Sequence, residues 1–466
     1  MRRLILSGVI AVSMSFPVFA DTTSLKNALE AAYMKNPSLA QTRASIRNLD
    51  EAVVQALSRL KPTVSGNISV GITDPINPRF AFQDVDSYSN TATLSISQLL
   101  YDGGQTRGKV NSAKLAVYAG REDLIDAEQN ILLGAITAYM DLRQAQANLN
   151  LAENNITVLR RQLQASKDRF EVGEVTRTDV SQTEARVASA VSNREASRAA
   201  LHGAIANYIS VVGEKPHKVQ SPPEHPTIPA TVAAAEAIAI AGHPRIRAAK
   251  LNLKAAGIDL KTARRNRVPT VEGSVSATST GTSEIGNFVS GSEKKVSVSV
   301  SASIPIFQGG RLDSAQRAAS NSKKVDQYAL DVAINTTQLN LRRNYANWQA
   351  AVAAIRASQA QIRSARIAFE GVQEEAKLGS RTTLDVLDAE QELLSARSNL
   401  VSALRDEQVQ AYNVLSEMGQ LTARSLRLKV EHHDPSVNYD KVVKDSPLGL
   451  QRINLLERLQ NRRKKQ

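Results

Sequence analysis

Two long stretches of this chain are near copies of each other, and that duplication limits the fold more than any other feature. Tyr101-Asp102-Gly103-Gly104 recurs as Phe307-Gln308-Gly309-Gly310, Val172-Gly173 through Val180 recurs as Leu378-Gly379 through Val386, and Asn207 through Gly213 recurs as Asn413 through Gly419, each 206 positions on. Asn36-Pro37 matches His243-Pro244, and Lys61-Pro62-Thr63-Val64 matches Val268-Pro269-Thr270-Val271, at a spacing of 207. A period of this length belongs to a whole structural unit rather than to a solenoid turn. The sequence divides accordingly into a leader (1–20), a first repeat (21–213), a Pro-rich linker (214–231), a second repeat (232–419) and a basic tail (420–466).

Arg2 and Arg3, the apolar run from Leu4 and Val18-Phe19-Ala20 before Asp21 have the layout of a cleavable secretory signal. No later apolar stretch is long enough for a membrane-spanning helix, so the mature chain is either soluble beyond the inner membrane or inserted as strands. The absence of Cys fits export without disulfides and leaves no lipid-bearing Cys. Of the net charge of +13, two positives belong to the leader, leaving +11 on the mature chain. Much of it lies in 424–466, including Arg462-Arg463-Lys464-Lys465, which reads as a solvated tail. Export and the lack of basic patches interleaved with aromatics speak against nucleic-acid binding.

Gly104 to Phe170 and Ile306 to Asp434 contain no proline and are rich in good helix formers. Along the second, Val325, Leu330, Ile334, Leu339, Leu341, Tyr345, Trp348, Val352, Ile355, Ile362 and Ile367 recur at helical steps and predict a coiled-coil seam. Two helices of about 100 Å, over 104–172 and 310–377, follow at 1.5 Å per residue. Each ends at a glycine, Gly173 or Gly379, and turns back into a shorter helix, 177–213 or 383–418. Helices at 24–60 and 232–266, placed end to end with these, supply the missing length.

Val296 to Ile304 alternates apolar residues with serine, and Ala92 to Ser97 does the same; Val64 to Ile72 and Val271 to Ala277 alternate more loosely. Strands are expected near 62–74, 87–101, 268–280 and 293–306, with loops at 75–86 and 281–292. One apolar and one small polar face suit an outer-membrane barrel, although a soluble sandwich could show the same pattern. Four strands cannot close a barrel, and an open edge in lipid costs several kcal/mol per unpaired backbone group, so the chain must oligomerise. Two copies would give a filled lumen and three a water-filled bore; the serine faces favour three.

These residues resemble the TolC family of outer-membrane exit ducts, over nearly the whole mature chain to about residue 420. The aromatic-x-Gly-Gly junctions, Tyr101 with Gly103 and Gly104 and Phe307 with Gly309 and Gly310, carry the resemblance together with the two glycine turns at matched spacing. It implies a mixed, mainly α fold with a β-barrel: a homotrimer whose twelve strands cross the outer membrane of a Gram-negative bacterium and whose twelve helices form a periplasmic tunnel. An equatorial girdle would take in 214–231 and part of the tail.

The resemblance also implies roles at the periplasmic tip. Asp385 and Asp388 would form acidic rings that favour cations. Arg381 would hold the tip shut against Thr178 and Asp179, although Ala376 stands where the family has a tyrosine of that network. Gly173, Glu174, Val175, Gly379 and Ser380 would receive the hairpins of a periplasmic adaptor. By the same resemblance, that adaptor would couple the duct to an inner-membrane RND or ABC transporter. The bland reading of Asp385 and Asp388 is capping of a helix N-terminus. An enzyme finds no support: the carboxylates share a coiled coil without a pocket, and His432-His433 and the other histidines lack metal-ligand spacing. No cofactor is implied. The remaining alternative is a coiled-coil adhesin with a small barrel anchor, whose strands would stand at the C-terminus instead of being duplicated and interrupted.

Overall fold

The structure, a computed structural model, describes residues 22–73, 87–284 and 291–444. The leader, the loop expected at 75–86 and the Arg462–Lys465 run lie outside the described residues. Within them the chain runs through β1 (Thr22–Thr23), α1 (Leu25–Lys35), α2 (Pro37–Ser58), β2 (Thr63–Thr73), β3 (Ser87–Tyr101), α3 (Gln105–Glu171), α4 (Arg177–Val212) and β4 (Lys218–Val219). There follow α5 (Val232–Gly242), α6 (Pro244–Arg265), β5 (Thr270–Glu284), β6 (Gly291–Ser303), α7 (Arg311–Lys377), α8 (Thr383–Glu417) and α9 (Ser436–Lys444). The same order, two short helices, two strands, one very long helix and one half-length return, is thus written twice.

The long helices α3 and α7 each hold 67 residues. The helices expected as single pieces at 24–60 and 232–266 are each broken in two, at Asn36-Pro37 and His243-Pro244. Proline forces the residue before it out of the helical region, and Asn36 and His243 sit at ψ 122° and 128°. Their side chains then cap the new helix: the Ser38 amide donates to Asn36 Oδ1 at 2.9 Å, and the Arg245 amide to His243 Nδ1 at 3.2 Å. Each break is also where a returning helix arrives. Asn36 Nδ2 donates to the Val211 carbonyl at 2.9 Å, and Gly419, just past α8, lies against the backbone of Gly242 and His243. Half-helices therefore stack end to end beside one long partner.

The main core surrounds these joints. Leu132, Ile136, Tyr139, Tyr208, Leu341, Tyr345, Met418 and Leu421 are fully buried there. Tyr139 and Tyr345, equivalent in the two repeats, both fasten the Pro-rich linker. The Tyr139 hydroxyl reaches the carbonyls of Thr23 (3.1 Å) and Gln220 (2.8 Å), and the Tyr345 hydroxyl that of Pro229 (3.0 Å). β1 pairs with β4 in parallel at the same level. Trp348, read from the sequence as packing, also donates from Nε1 to Glu407 Oε1, which His225 of the linker contacts at 2.9 Å.

The α7 stripe is only partly a seam within one chain. Leu341 and Tyr345 are buried, but Val325, Leu339 and Ile367 are exposed. Nineteen residues of α3 are buried, against seven of α7, although the helices are equally long. α3 is surrounded by neighbours and α7 is not.

β2, β3, β5 and β6 form one antiparallel sheet in that order, with β2 and β6 at its edges. The register places Val64 opposite Ile96, Ile96 opposite Val275, and Val275 opposite Val298, so the apolar residues share one face. The other carries hydroxyls that bond across strands: Thr63 to Ser97 (2.8 Å), Thr93 to Thr278 (3.3 Å) and Ser274 to Ser299 (2.8 Å). In the central strands the apolar side chains are the bare ones, Leu94 at 52% and Val275 at 40%, while Ser95, Ser97, Ser274 and Ser276 are half-buried. A soluble sheet buries its apolar face; this one presents it outward, as lipid requires. β5 and β6 also run further than expected. Residues 281–284 and 291–292, read as loop, are strand, because backbone pairing such as Gly281 with Asn90 needs no apolar side chain.

Candidate functional site

The two helix–turn–helix ends, remote from the sheet, hold the residues singled out for gating. Both turns are built alike. Gly173 and Gly379 adopt φ of +80° and +78°, the left-handed conformation that glycine enters without steric cost. The following amides then bond back to the helix end, Glu174 to the Arg169 carbonyl (2.9 Å) and Ser380 to that of Glu375 (3.0 Å). Each returning helix opens with a capping box. Asp179 Oδ2 accepts from the Thr176 hydroxyl (2.7 Å) and amide (2.8 Å), and Asp385 Oδ2 from the Thr382 hydroxyl (2.8 Å) and amide (2.9 Å).

These bonds favour the ionised carboxylate. The Thr176 hydroxyl, then its amide, lowers the pKa of Asp179, and the Thr382 amide, then its hydroxyl, lowers that of Asp385. Asp179 and Asp385 are thus committed to capping through one oxygen each. Asp388 stands apart: it is exposed on α8 and paired with Arg186 of α4 at 2.8 Å, which ties the two hairpins together.

Arg381 does not reach Thr178 or Asp179 within the chain. Its Nε bonds Glu375 Oε2 at 2.9 Å across its own turn, and this pairing raises the guanidinium pKa. The first hairpin carries the mirror arrangement, Arg169 Nε to Glu174 Oε2 at 3.0 Å, with the cation now on the long helix. Arg169 and Glu375 are repeat equivalents, so the ion pair spanning the turn has opposite polarity in the two copies. Arg169 also donates from Nη2 to the Ala376 carbonyl at 3.3 Å. At the position where the family tyrosine is expected, the backbone therefore accepts a link from the other hairpin.

Gly173, Glu174, Thr178, Gly379 and Ser380 are exposed and Val175 is half-exposed, leaving both turns accessible. Just above them on α8, Glu390 is buried in a small cavity between α3, α7 and α8, where desolvation pushes its carboxyl up to about 7. Its repeat equivalent, Glu184, pairs with Lys167 at 3.0 Å on the surface. The equivalent of Lys167 is Gln373, so Glu390 lacks that cation. Charge differences between the repeats at 169/375 and 167/373 were the available signals for Arg169 and Glu390. At the opposite end of the helices, Tyr101 and Phe307 are exposed at the strand–helix junctions, and Gly103, Gly104, Gly309 and Gly310 all take positive φ.

Among the described residues no helix is long and apolar enough to cross a membrane, and no group of His, Asp or Glu could hold a metal. An outward-facing apolar sheet with tethered helical rods matches one group of known proteins. The sequence profile of the outer membrane efflux proteins fits residues 28–213 and 237–419. Outer membrane efflux protein BepC of Brucella suis is 35% identical over 96% of this chain and 95% of its own length. Alkaline protease secretion protein AprF of Pseudomonas aeruginosa is 26% identical over 82% of this chain and 80% of its own. The crystal structure of the Campylobacter jejuni CmeC outer membrane channel superposes with a TM-score of 0.73, covering 96% of this chain and 99% of that one at 15% identity. The chain belongs to the outer membrane efflux protein family, and its sheet is the part that resides in the outer membrane.

Proposed function

We propose that three copies of this outer-membrane exit duct chain close into one passive conduit, gated at its periplasmic tip. The observation that carries this is a pattern of missing neighbours. α6 packs against both long helices, α3 and α7, whereas its counterpart α2 has α3 as its one extensive long-helix neighbour. α8 packs extensively against α7 and α3, whereas its counterpart α4 has α3 as its one extensive long-helix neighbour. Each vacancy is the place that α7 of a second copy would take. α7 is also the helix with Val325, Tyr328, Val332 and Leu339 exposed along one face. The unpaired edges of β2 and β6 complete the pattern. Three sheets supply twelve strands, and the hydroxyl face suits a wetted bore.

In this reading the tip is a weak latch. Asp388 and the free oxygen of Asp385 set the cation preference, and Arg381, Thr178 and Asp179 of neighbouring hairpins meet only after assembly. An adaptor hairpin docks at Gly173, Glu174, Val175, Gly379 and Ser380 and draws the return helices outward. An inner-membrane RND or ABC transporter supplies the energy; the chain itself conducts and does not catalyse. The relatives are named for efflux and for protease secretion, so the cargo class is tested by deleting the gene and scoring drug sensitivity against loss of a secreted protein. Planar-bilayer recording of the purified protein tests the conduit. Crosslinked trimers with a conductance that rises on replacing Arg381 together with Asp179 are expected; a stable monomer without a pore would overturn the reading.

A further inference from the structure

The segment after the second repeat folds back over the first. Glu431 to Pro435 and α9 lie beside α2 and enclose with it a cleft of about 570 Å³, open to one face of that helix: Arg43, Ile46, Arg47 and Asp50, at successive helical steps. The walls are anchored at both ends. The His433 amide donates to the Tyr33 hydroxyl at 3.2 Å, and Arg121 of α3 lies 5.4 Å from the centre of the Tyr439 ring and donates to the Pro435 carbonyl at 3.5 Å. A cleft of this size accommodates a small molecule.

Two kinds of group line it. Arg43, Arg47 and Lys441 are cationic, and no ion pair among the described residues engages Arg47 or Lys441. Arg43 stands 4.8 Å from the centre of the Tyr33 ring, and its buried Nε has no hydrogen-bond partner among the described residues. His433 senses the resulting field: burial, and then the Arg43 and Arg47 guanidiniums, hold it below the ordinary histidine pKa, with Asp434 opposing them. The second kind is the acceptors. Asp434 is committed, because its Oδ1 takes the Ser436 amide (2.8 Å) and hydroxyl (2.7 Å). Asp50 is wholly buried, and Asn438 donates to its Oδ2 at 2.8 Å, but its Oδ1 has no partner among the described residues. A buried carboxylate oxygen left unpaired is costly, which favours a ligand that brings a donor to it.

In the second repeat Lys250 and Lys254 stand at the equivalents of Arg43 and Arg47, but Gly257 stands at that of Asp50. The cations recur; their combination with a buried acceptor belongs to the first repeat alone.

We propose that this cleft binds a small anionic ligand carrying an ammonium or hydroxyl donor, with its carboxylate or phosphate on Arg43, Arg47 and Lys441 and its donor on Asp50 Oδ1. Guanidinium forks match either oxyanion bidentately. An amino-dicarboxylic acid and an amino-sugar phosphate share this chemistry, and the test separates them.

Full-length protein in detergent is titrated calorimetrically with diaminopimelate, with glucosamine phosphate, and with inorganic phosphate as the donor-free control. At least one amino ligand is expected to bind more tightly than inorganic phosphate, and the one that does so identifies the source. Arg47→Gln combined with Lys441→Gln, both at exposed positions, should weaken that ligand about tenfold or more at an unchanged melting temperature. Asp50→Asn keeps an acceptor for Asn438 and removes the charge, so it should weaken the amino ligand severalfold while strengthening inorganic phosphate. A merely structural Asp50 would not move the two in opposite directions. Absence of binding, inorganic phosphate binding as tightly as both amino ligands, or affinities unchanged by the Arg47 and Lys441 substitutions would each overturn the proposal.

Discussion

Arg186 on α4 holds Asp388 on α8, 202 residues further along the chain, at 2.8 Å, linking the return helices of the two hairpins. Both side chains are about half exposed, so the pair contributes less than about 1 kcal/mol. Its larger effect is on the field at the tip. Arg186→Ala is expected to increase cation selectivity and Asp388→Asn to decrease it, with melting temperatures nearly unchanged. Reversal potentials in asymmetric salt across a planar bilayer measure both.

Arg169 ties the first hairpin to the carbonyl of Ala376 in the second. A charged hydrogen bond of this kind contributes about 1.5–3 kcal/mol where sheltered and less here, near the surface. Arg169→Ala should therefore speed hydrogen exchange in both turns and raise closed-state conductance, whereas Arg169→Lys, which keeps the charge, should restore part of the latch.

Glu390 makes the rod sensitive to pH. Its folded pKa, about 7, lies above the ordinary 4.5, so the folded chain binds the extra proton between those values. Below about 4.5 the group is neutral in both states and costs nothing; as pH rises toward 7 the folded state loses stability. Thermal unfolding of the wild type is expected to show a lower melting temperature at pH 8 than at pH 5. Glu390→Gln should remove this part of the pH dependence, and an unchanged profile would exclude the buried carboxyl as its source.

Gly213 and Gly419 are repeat equivalents, both left-handed, at φ +84° and +73°. A Cβ at Gly419 would come within 3.0 Å of the Gly242 carbonyl, which is backbone, whereas at Gly213 it would meet the side chain of Lys35 at 3.2 Å. Gly213→Ala should cost about 1–2 kcal/mol, the conformational penalty alone, and Gly419→Ala distinctly more. Denaturant midpoints of the two variants compare them.

Much of the fold is legible in the sequence because its signals are local and repeated. Proline-free runs with helical periodicity mark α3 and α7, the glycines at 173 and 379 mark their ends, and the Val-Ser alternation of 296–303 marks a strand. The joints at Asn36-Pro37 and His243-Pro244 were visible as a repeated motif, yet helical composition on both sides masked the break that proline enforces. The site was less legible. Thr176 and Asp179, with Thr382 and Asp385, spell capping boxes at a fixed spacing of three. Arg169 with Ala376 and Arg186 with Asp388 meet only through the packing of hairpins more than 200 residues apart, and no short-range pattern encodes that.

The two open edges of the sheet, β2 from the first repeat and β6 from the second, are different surfaces, so in the proposed ring copies would join head to tail. Such contacts cannot be satisfied by a twofold pair; they propagate until a ring closes. Every incomplete ring, whatever its size, still displays one β2 edge and one β6 edge. Each contact covers one β2 edge and one β6 edge, but only the closing contact, which brings in no further subunit, leaves no backbone edge unpaired, so an open assembly of any size keeps the same two unmet edges as a single chain.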